Sequence, residues 1–373
     1  MSRSHVIFGT LTLTGIAVIG LYVYQAKTRL SEAPSDDLSL VVEAAPPQTE
    51  EPAASSPAPE SAAPATDSGA SPASQAPHAA QPAAPKASAT AQSRTGEPPK
   101  RIYFRYTGLD SHHGKLAYVE PARSPQPHFV DHLSCEVVYV AGGRGICLTA
   151  KRGVFTTYAA VLFNADTFEV LGRLPLQGVP SRARVSDDGR LAALTVFVSG
   201  HGYTTLDFST QTLLIDVAEA KVIADLETFT IYRDGQVISN PDFNFWGVTF
   251  TRDAKHFYAT LSTNRQHFLI RGDVAQRTAT VVHENVECPS LSPDDKRVAY
   301  KKRFVIDGRV VWELHVLDLQ TGVETPLAER RSIDDQLEWL DAGHVLYAVP
   351  ESPDDATPAT DVWVAAADGT GIP

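Results

Sequence analysis

The chain has 373 residues and a formal net charge of −12 at neutral pH. That length allows two domains or one large one, and the acidic balance argues against nucleic acid or anionic lipid as a general partner. Three cysteines, Cys135, Cys147 and Cys288, are an odd number for a disulfide framework and fit no zinc spacing, so they read as small buried hydrophobes.

Residues 1–5 form a short polar tail. Val6 to Tyr24 is an uncharged, mostly apolar run, with Arg3 before it and Lys27 and Arg29 after it. At 1.5 Å per residue it nearly spans a bilayer core of ~30 Å, and Tyr22 and Tyr24 stand where interfacial aromatics collect. The run predicts a transmembrane signal-anchor helix over 6–24. The alternative is a cleaved signal peptide, for which no convincing small-x-small site follows. Either way the expected location of the folded part is extracytoplasmic: tethered to the cell membrane by a single pass, or secreted. Residues 25–100 are dominated by Ala, Pro, Ser, Glu and Gln, with too few aromatic and β-branched residues to offset the entropy of ordering. They predict a disordered linker.

Residues 101–373 are rich in Val, Leu, Phe, Tyr and Thr and carry a repeat. Ser292-Pro293-Asp294-Asp295-Lys296-Arg297-Val298-Ala299-Tyr300 reads as a strand end, an acidic turn and a second strand. Copies turn at Asp188, Asp253 and Asp341, with a degenerate one at Gly142-Gly143. Leu314 to Gly322 reads as a third strand closed by another tight turn, and it recurs as Val161 to Ala165, Leu213 to Val217, Phe268 to Gly272 and Val362 to Ala366. Asp and Gly suit the tight turns that hairpins need. A period of about 45 residues with four short antiparallel strands per unit signals propeller blades, about six in number. Residues 101–130 supply an incomplete first blade, and the last ends after its third strand. One long interval implies an insertion at residues 228–242.

The Ser-Pro-Asp-x-Lys-Arg-Val-Ala-Tyr and Val-Leu-Asp-Leu-Gln-Thr-Gly phrases resemble the WD-like β-propeller repeat of TolB-type proteins. Anchor, linker and propeller together look like the secreted or membrane-anchored TolB-like proteins of high-GC Gram-positive bacteria. The resemblance implies an all-β, six-bladed propeller that works through protein partners. Nothing in the chain resembles the separate N-terminal α/β domain of TolB itself.

No catalytic motif is present: no nucleophile elbow, no His-Glu-x-x-His, no P-loop and no dinucleotide fingerprint. The acidic turns lack the alternating-oxygen spacing of a calcium loop, and adjacent His112 and His113 read as part of a solvated turn. Neither a catalytic residue, a metal ligand nor a cofactor is therefore assigned. The basic run Lys301-Lys302-Arg303 reads as an exposed hairpin. Aromatic and polar residues on long loops are the raw material of a binding rim. Two segments offer them: Phe229, Tyr232, Arg233, Phe243 and Trp246 in and after the insertion, and His201 and Tyr203 in the long loop 199–209. The expected function is a membrane-tethered binding or scaffold module for a protein or a cell-envelope polymer. The alternative is an envelope glycan or peptide hydrolase or lyase with a site dispersed over blade loops.

Overall fold

A computed structural model describes residues 101–120, 124–200, 208–350 and 360–371. The apolar run 6–24 and the linker 25–100 lie outside these residues. Among the described residues no helix is long and apolar enough to cross a membrane.

The described chain is all-β apart from a single 3-10 turn, Leu226–Thr228, and forms six sheets arranged as blades. Blade 1 is β1 (Ile102–Arg105), β2 (Lys115–Glu120) and β3 (Ser124–Ser134). Blade 2 is β4 (Val137–Ala141), β5 (Arg144–Lys151), β6 (Thr157–Asn164) and β7 (Val170–Leu176). Blade 3 is β8 (Val179–Val185), β9 (Leu191–Ser199), β10 (Ser209–Asp216) and β11 (Lys221–Asp225). A small hairpin follows, β12 (Thr230–Arg233) and β13 (Gln236–Ile238). Blade 4 is β14 (Asn244–Phe250), β15 (His256–Thr263), β16 (Gln266–Asp273) and β17 (Thr278–Glu284). Blade 5 is β18 (Glu287–Leu291), β19 (Arg297–Ile306), β20 (Arg309–Asp318) and β21 (Glu324–Pro326). Blade 6 is β22 (Glu338–Trp339), β23 (His344–Pro350) and β24 (Thr360–Ala366). The numbered strands of each blade form an antiparallel meander, and the first strands of neighbouring blades pack on one another.

The repeat phrases are legible as turn chemistry. After the first strand of blades 3, 4 and 5, a carboxylate closes the hairpin in the same way. Asp188 Oδ1 accepts from Ser186 Oγ (2.6 Å) and Arg190 N (3.0 Å). Asp253 Oδ1 accepts from Thr251 Oγ1 (2.7 Å) and Lys255 N (3.0 Å), and Asp294 Oδ1 from Ser292 Oγ (2.5 Å) and Lys296 N (3.2 Å). The hydroxyl in turn accepts from the amide five residues on, in Leu191, His256 and Arg297. The following residue is left-handed in every copy: Gly189, Ala254 and Asp295 have φ of 70°, 52° and 59°. A second Asx turn joins the third and fourth strands, where Asn164, Asp216, Asp273 and Asp318 each accept from amides two or three residues on. These side chains serve hairpin geometry.

Arginines stitch these first turns around one mouth of the ring. Arg190 donates to the Asp253 carbonyl, the Arg252 amide donates to the Asp295 carboxylate, and Arg297 donates to the Ala342 carbonyl. Between blades 2 and 3 the turns touch directly: a Cβ on Gly189 would lie 2.5 Å from the Gly142 carbonyl oxygen. Only glycine fits there.

The core is distributed between neighbours rather than held in one mass. One apolar cluster joins blades 1 and 2 through Leu116 and Phe163, and another joins blades 2 and 3 through Leu148 and Leu194. Blades 3 and 4 share Leu214 and Phe257, blades 4 and 5 share Leu269 and Tyr300, and blades 5 and 6 share Val316 and Val345. Burial of each blade face therefore depends on the next blade. Blades 6 and 1 meet where the Thr360 amide donates to Thr107 Oγ1 (3.1 Å).

Three expectations are corrected. The insertion is not a free loop: it folds into the β12–β13 hairpin, and β12 adds in parallel to β17, widening blade 4 to six strands. Cys135 and Cys147 are joined by a disulfide, and only Cys288 is free and buried. Cys135 sits in the link between blades 1 and 2, beside β5, which carries Cys147; spacing alone could not show this. Finally, the basic run is not an exposed hairpin, because Lys301 is fully buried and its neighbours are half-buried.

Candidate functional site

The first strands of the blades line the axis, and their side chains alternate between two layers. Val-Pro-Ser-Arg-Ala-Arg-Val in β8 puts Arg182 and Arg184 two residues apart, so both point the same way at successive levels. Charged residues at inward positions of an inner strand are the sequence signal of this centre. It went unread because nothing local marks β8 as innermost.

At the Arg184 level the guanidinium is 5 % exposed and pairs with Glu338 of β22. It also donates to Ser290 Oγ of β18 (2.8 Å) and to the Leu337 carbonyl (3.0 Å), and lies 4.5 Å over the Tyr139 ring of β4. Tyr139 donates to Glu338 (3.0 Å). Burial alone would weaken the arginine's proton, but the Glu338 charge and Tyr139 outweigh it and hold Arg184 above its ordinary value. One side chain thus ties blades 2, 3, 5 and 6, and about 20 Å³ of space remains beside it, room for a water and no more.

At the Arg182 level, Nε faces Cys288 Sγ at 3.4 Å and the guanidinium lies 3.8 Å from Asp334. Lys301 pairs with Asp334 and lies 4.7 Å from the Trp312 ring centre. Burial works against the Lys301 charge, yet Cys288 and Asp334 hold it above its usual value. Asp334, which burial would push up, is held low by Lys301 and Arg182. Glu287, 1 % exposed, accepts from Trp312 Nε1 (3.2 Å), and burial pushes its carboxyl up despite Lys301. These charges link residues of blades 3 and 5 with Asp334, which precedes blade 6.

The strand ends away from the arginine-stitched mouth form the opposite face. There the second-to-third-strand hairpins project Val154 (95 % exposed), Phe155 (83 %), Val305 (62 %) and Ile306 (51 %), and Val198 is exposed near the end of β9. At the stitched mouth, Leu109 (71 %) and Val323 (59 %), the latter in the turn between the third and fourth strands of blade 5, are the exposed large apolar residues among the described turns.

The residues expected to form a rim divide. Phe229 is buried, edge-on to Phe257 at 5.7 Å, and Trp246 is fully buried against Phe208 and His267. Phe243 is half-buried against Phe245. These three belong to the packing of blade 4, because the strand following the insertion is an inner one. Tyr232 and Arg233 reach the surface on β12, where Arg233 lies 4.7 Å over Phe268 and pairs with Glu284 at 2.7 Å. His201 and Tyr203 lie outside the described residues. Among the described residues no three His, Cys, Asp or Glu side chains converge to hold a metal ion. His112 stacks on Phe129 at 4.0 Å within its turn.

No family model matches the chain, and no curated protein matches it. Solved structures do. TolB from Acinetobacter baumannii aligns with a TM-score of 0.50 at 18 % identity, covering 72 % of this chain and 61 % of that one. The chain therefore spans about three fifths of that protein's length. An oligogalacturonate lyase from Vibrio parahaemolyticus aligns with a TM-score of 0.42 at 8 % identity, covering 68 % of this chain and 72 % of the other. Kuenenia stuttgartiensis hydrazine synthase gives 0.41 at 14 %, covering 62 % and 67 %. At such identities the likeness is one of fold. The described residues from 101 to 371 form a six-bladed β-propeller, the fold shared with TolB.

Proposed function

We propose that this protein is a tethered, extracytoplasmic propeller that binds a protein partner through the face carrying Val154, Phe155, Val198, Val305 and Ile306. The observation that carries this reading is the asymmetry of the two faces. One is stitched by arginines and carboxylates, whereas the other projects apolar hairpin tips into solvent. Exposed apolar side chains on the tips of rigid hairpins are common anchors of a protein interface. The fold likeness to TolB supports a protein partner, and the space beside Arg184, about 20 Å³, holds a water at most. The apolar run Val6 to Tyr24 and the Cys135–Cys147 disulfide support an anchored domain in an oxidising compartment.

The test compares Phe155→Asp and Val305→Asp in the full chain, each checked for an unchanged melting curve, for co-purification of the partners held by the wild type. Loss of the same partner in both variants is expected. Unchanged co-purification would sink the reading, and turnover of envelope glycan or peptide by the purified chain would favour the enzyme alternative. A reporter fused after Pro373 that is active only in the cytoplasm would overturn the extracytoplasmic placement.

A further inference from the structure

Between blades 4 and 5, on the apolar-tipped face, lies a cleft of about 230 Å³ lined by Arg265, Gln266, His267, Phe268, Glu284, Asn285 and Arg303. We propose that this cleft is an oxyanion-binding site in which Arg265 and Arg303 hold a carboxylate or phosphate group, with the His267 ring as its wall. The proposal goes beyond the partner-binding reading and does not depend on it.

Charge is unbalanced in the cleft. Glu284 is already taken by Arg233 at 2.7 Å. Glu287 is the carboxylate nearest Arg303, but its Oε1 stands 3.9 Å from Nε, too far for a hydrogen bond, and it is shared with Trp312 and His267. Arg303 Nε is buried and has no hydrogen-bond partner among the described residues. Arg265 has no carboxylate partner among them either. A buried guanidinium donor without an acceptor is costly, and Arg303 also lines the cleft, where an anion would offset its unbalanced charge.

The backbone makes the second argument. β15 and β16 are joined by a two-residue turn, Asn264-Arg265, with φ of 50° and 61°. Such turns favour glycine at the second position, so a long side chain there is held at a conformational cost. Asn285, across the cleft, is also left-handed at φ 53° and clamps Arg303 through its backbone: Nδ2 donates to the Arg303 carbonyl (3.0 Å) and Oδ1 accepts from its amide (3.2 Å). Asn tolerates the left-handed region, so Arg265 is the position where a disfavoured residue is kept at the edge of the cleft. Arg265 thus reaches in from one wall, and Arg303 is fixed on the other. Planar guanidinium forks suit two-oxygen recognition of carboxylate or phosphate.

His267 provides a reporter. It lies 5.6 Å from the Trp246 ring, and burial, followed by the charges of Arg303 and Lys301, lowers its pKa to about 4. An anion between the two arginines would offset those charges and raise that value.

The experiment titrates the full chain with inorganic phosphate and, separately, with succinate at matched ionic strength. Tryptophan fluorescence reads binding, and the His267 proton resonance reads the pH midpoint. Saturable binding of either anion with an upward shift of the His267 midpoint is expected, and the tighter anion identifies the source of the oxyanion. Arg265→Asn, which suits the left-handed turn, should weaken binding about tenfold to a hundredfold, the loss of one charge-assisted hydrogen bond. Arg303→Gln should do the same, and Arg309→Gln, on an exposed tip of blade 5, should change nothing. If Arg303→Gln fails to fold, Arg265→Asn alone decides. Absence of saturable binding by both anions, or equal binding by Arg265→Asn and wild type, overturns the proposal.

Discussion

Replacing Glu338 by Gln removes one negative charge and leaves the shape of the axis unchanged. Arg184, 5 % exposed, then loses its formal counter-charge but keeps Ser290 Oγ, the Leu337 carbonyl and the Tyr139 ring. Breaking one side of a buried pair costs about 3–5 kcal/mol. Glu338 is itself 33 % exposed, and the remaining contacts survive, so the lower end applies, ~3 kcal/mol. For a domain of this size that lowers the Tm by roughly 6–12 °C. Replacing both partners, Arg184→Met with Glu338→Leu, should recover most of the loss, because no buried charge is then left alone. Thermal and urea denaturation of wild type, Arg184→Met, Glu338→Leu and the double variant give the coupling directly. A Glu338→Gln protein within ~0.5 kcal/mol of wild type would refute the idea that this pair locks the ring.

Other consequences can be checked in the same preparation. His267 should make stability fall with acid. Between the unfolded value of 6.5 and the folded value of about 4, the unfolded chain holds a proton that the native chain does not, so stability is full above pH 6.5 and is lost as pH falls toward 4. The loss is about 3 kcal/mol, and His267→Gln should flatten that part of the profile; an unchanged slope would contradict it. The Cys135–Cys147 bond, with a sequence separation of 12, should contribute about 3 kcal/mol, measured as the stability lost in a Cys135→Ala/Cys147→Ala variant. Thiol titration of the unfolded, unreduced chain should find Cys288 alone, and three reactive thiols would be the contrary result. Gly189→Ala should cost roughly 3 kcal/mol, from strain at φ 70° plus the clash with the Gly142 carbonyl. Gly143→Ala, equally left-handed but facing open space, should cost only about 1 kcal/mol in the same denaturation assay.

The blades were legible because their turns are local. Ser292, Asp294 and the amides of Lys296 and Arg297 sit within six residues of one another, so one hydrogen-bond pattern writes one sequence phrase. The insertion was visible as a break in period, but its fate was not. β12 and β13 are four and three residues long, and β12 gains its place by pairing with β17, which starts at Thr278. Trp246 and Phe229 looked like rim aromatics because an aromatic reads alike in a loop and in an inner strand until the strand's position is known. The axial lock was hidden by distance, since Arg184 and Glu338 are separated by 154 residues. The oxyanion cleft left one faint trace, an Arg where a two-residue hairpin turn favours glycine.

The central claim, that the apolar-tipped face meets a protein partner, is tested most directly by site-specific photo-crosslinking in the intact chain. A photo-reactive residue replaces Phe155 on one face and Lys255 on the stitched mouth. The account predicts one discrete adduct from position 155, depleted by Val305→Asp, and no such adduct from position 255. A discrete adduct from position 255 with none from position 155 would contradict it.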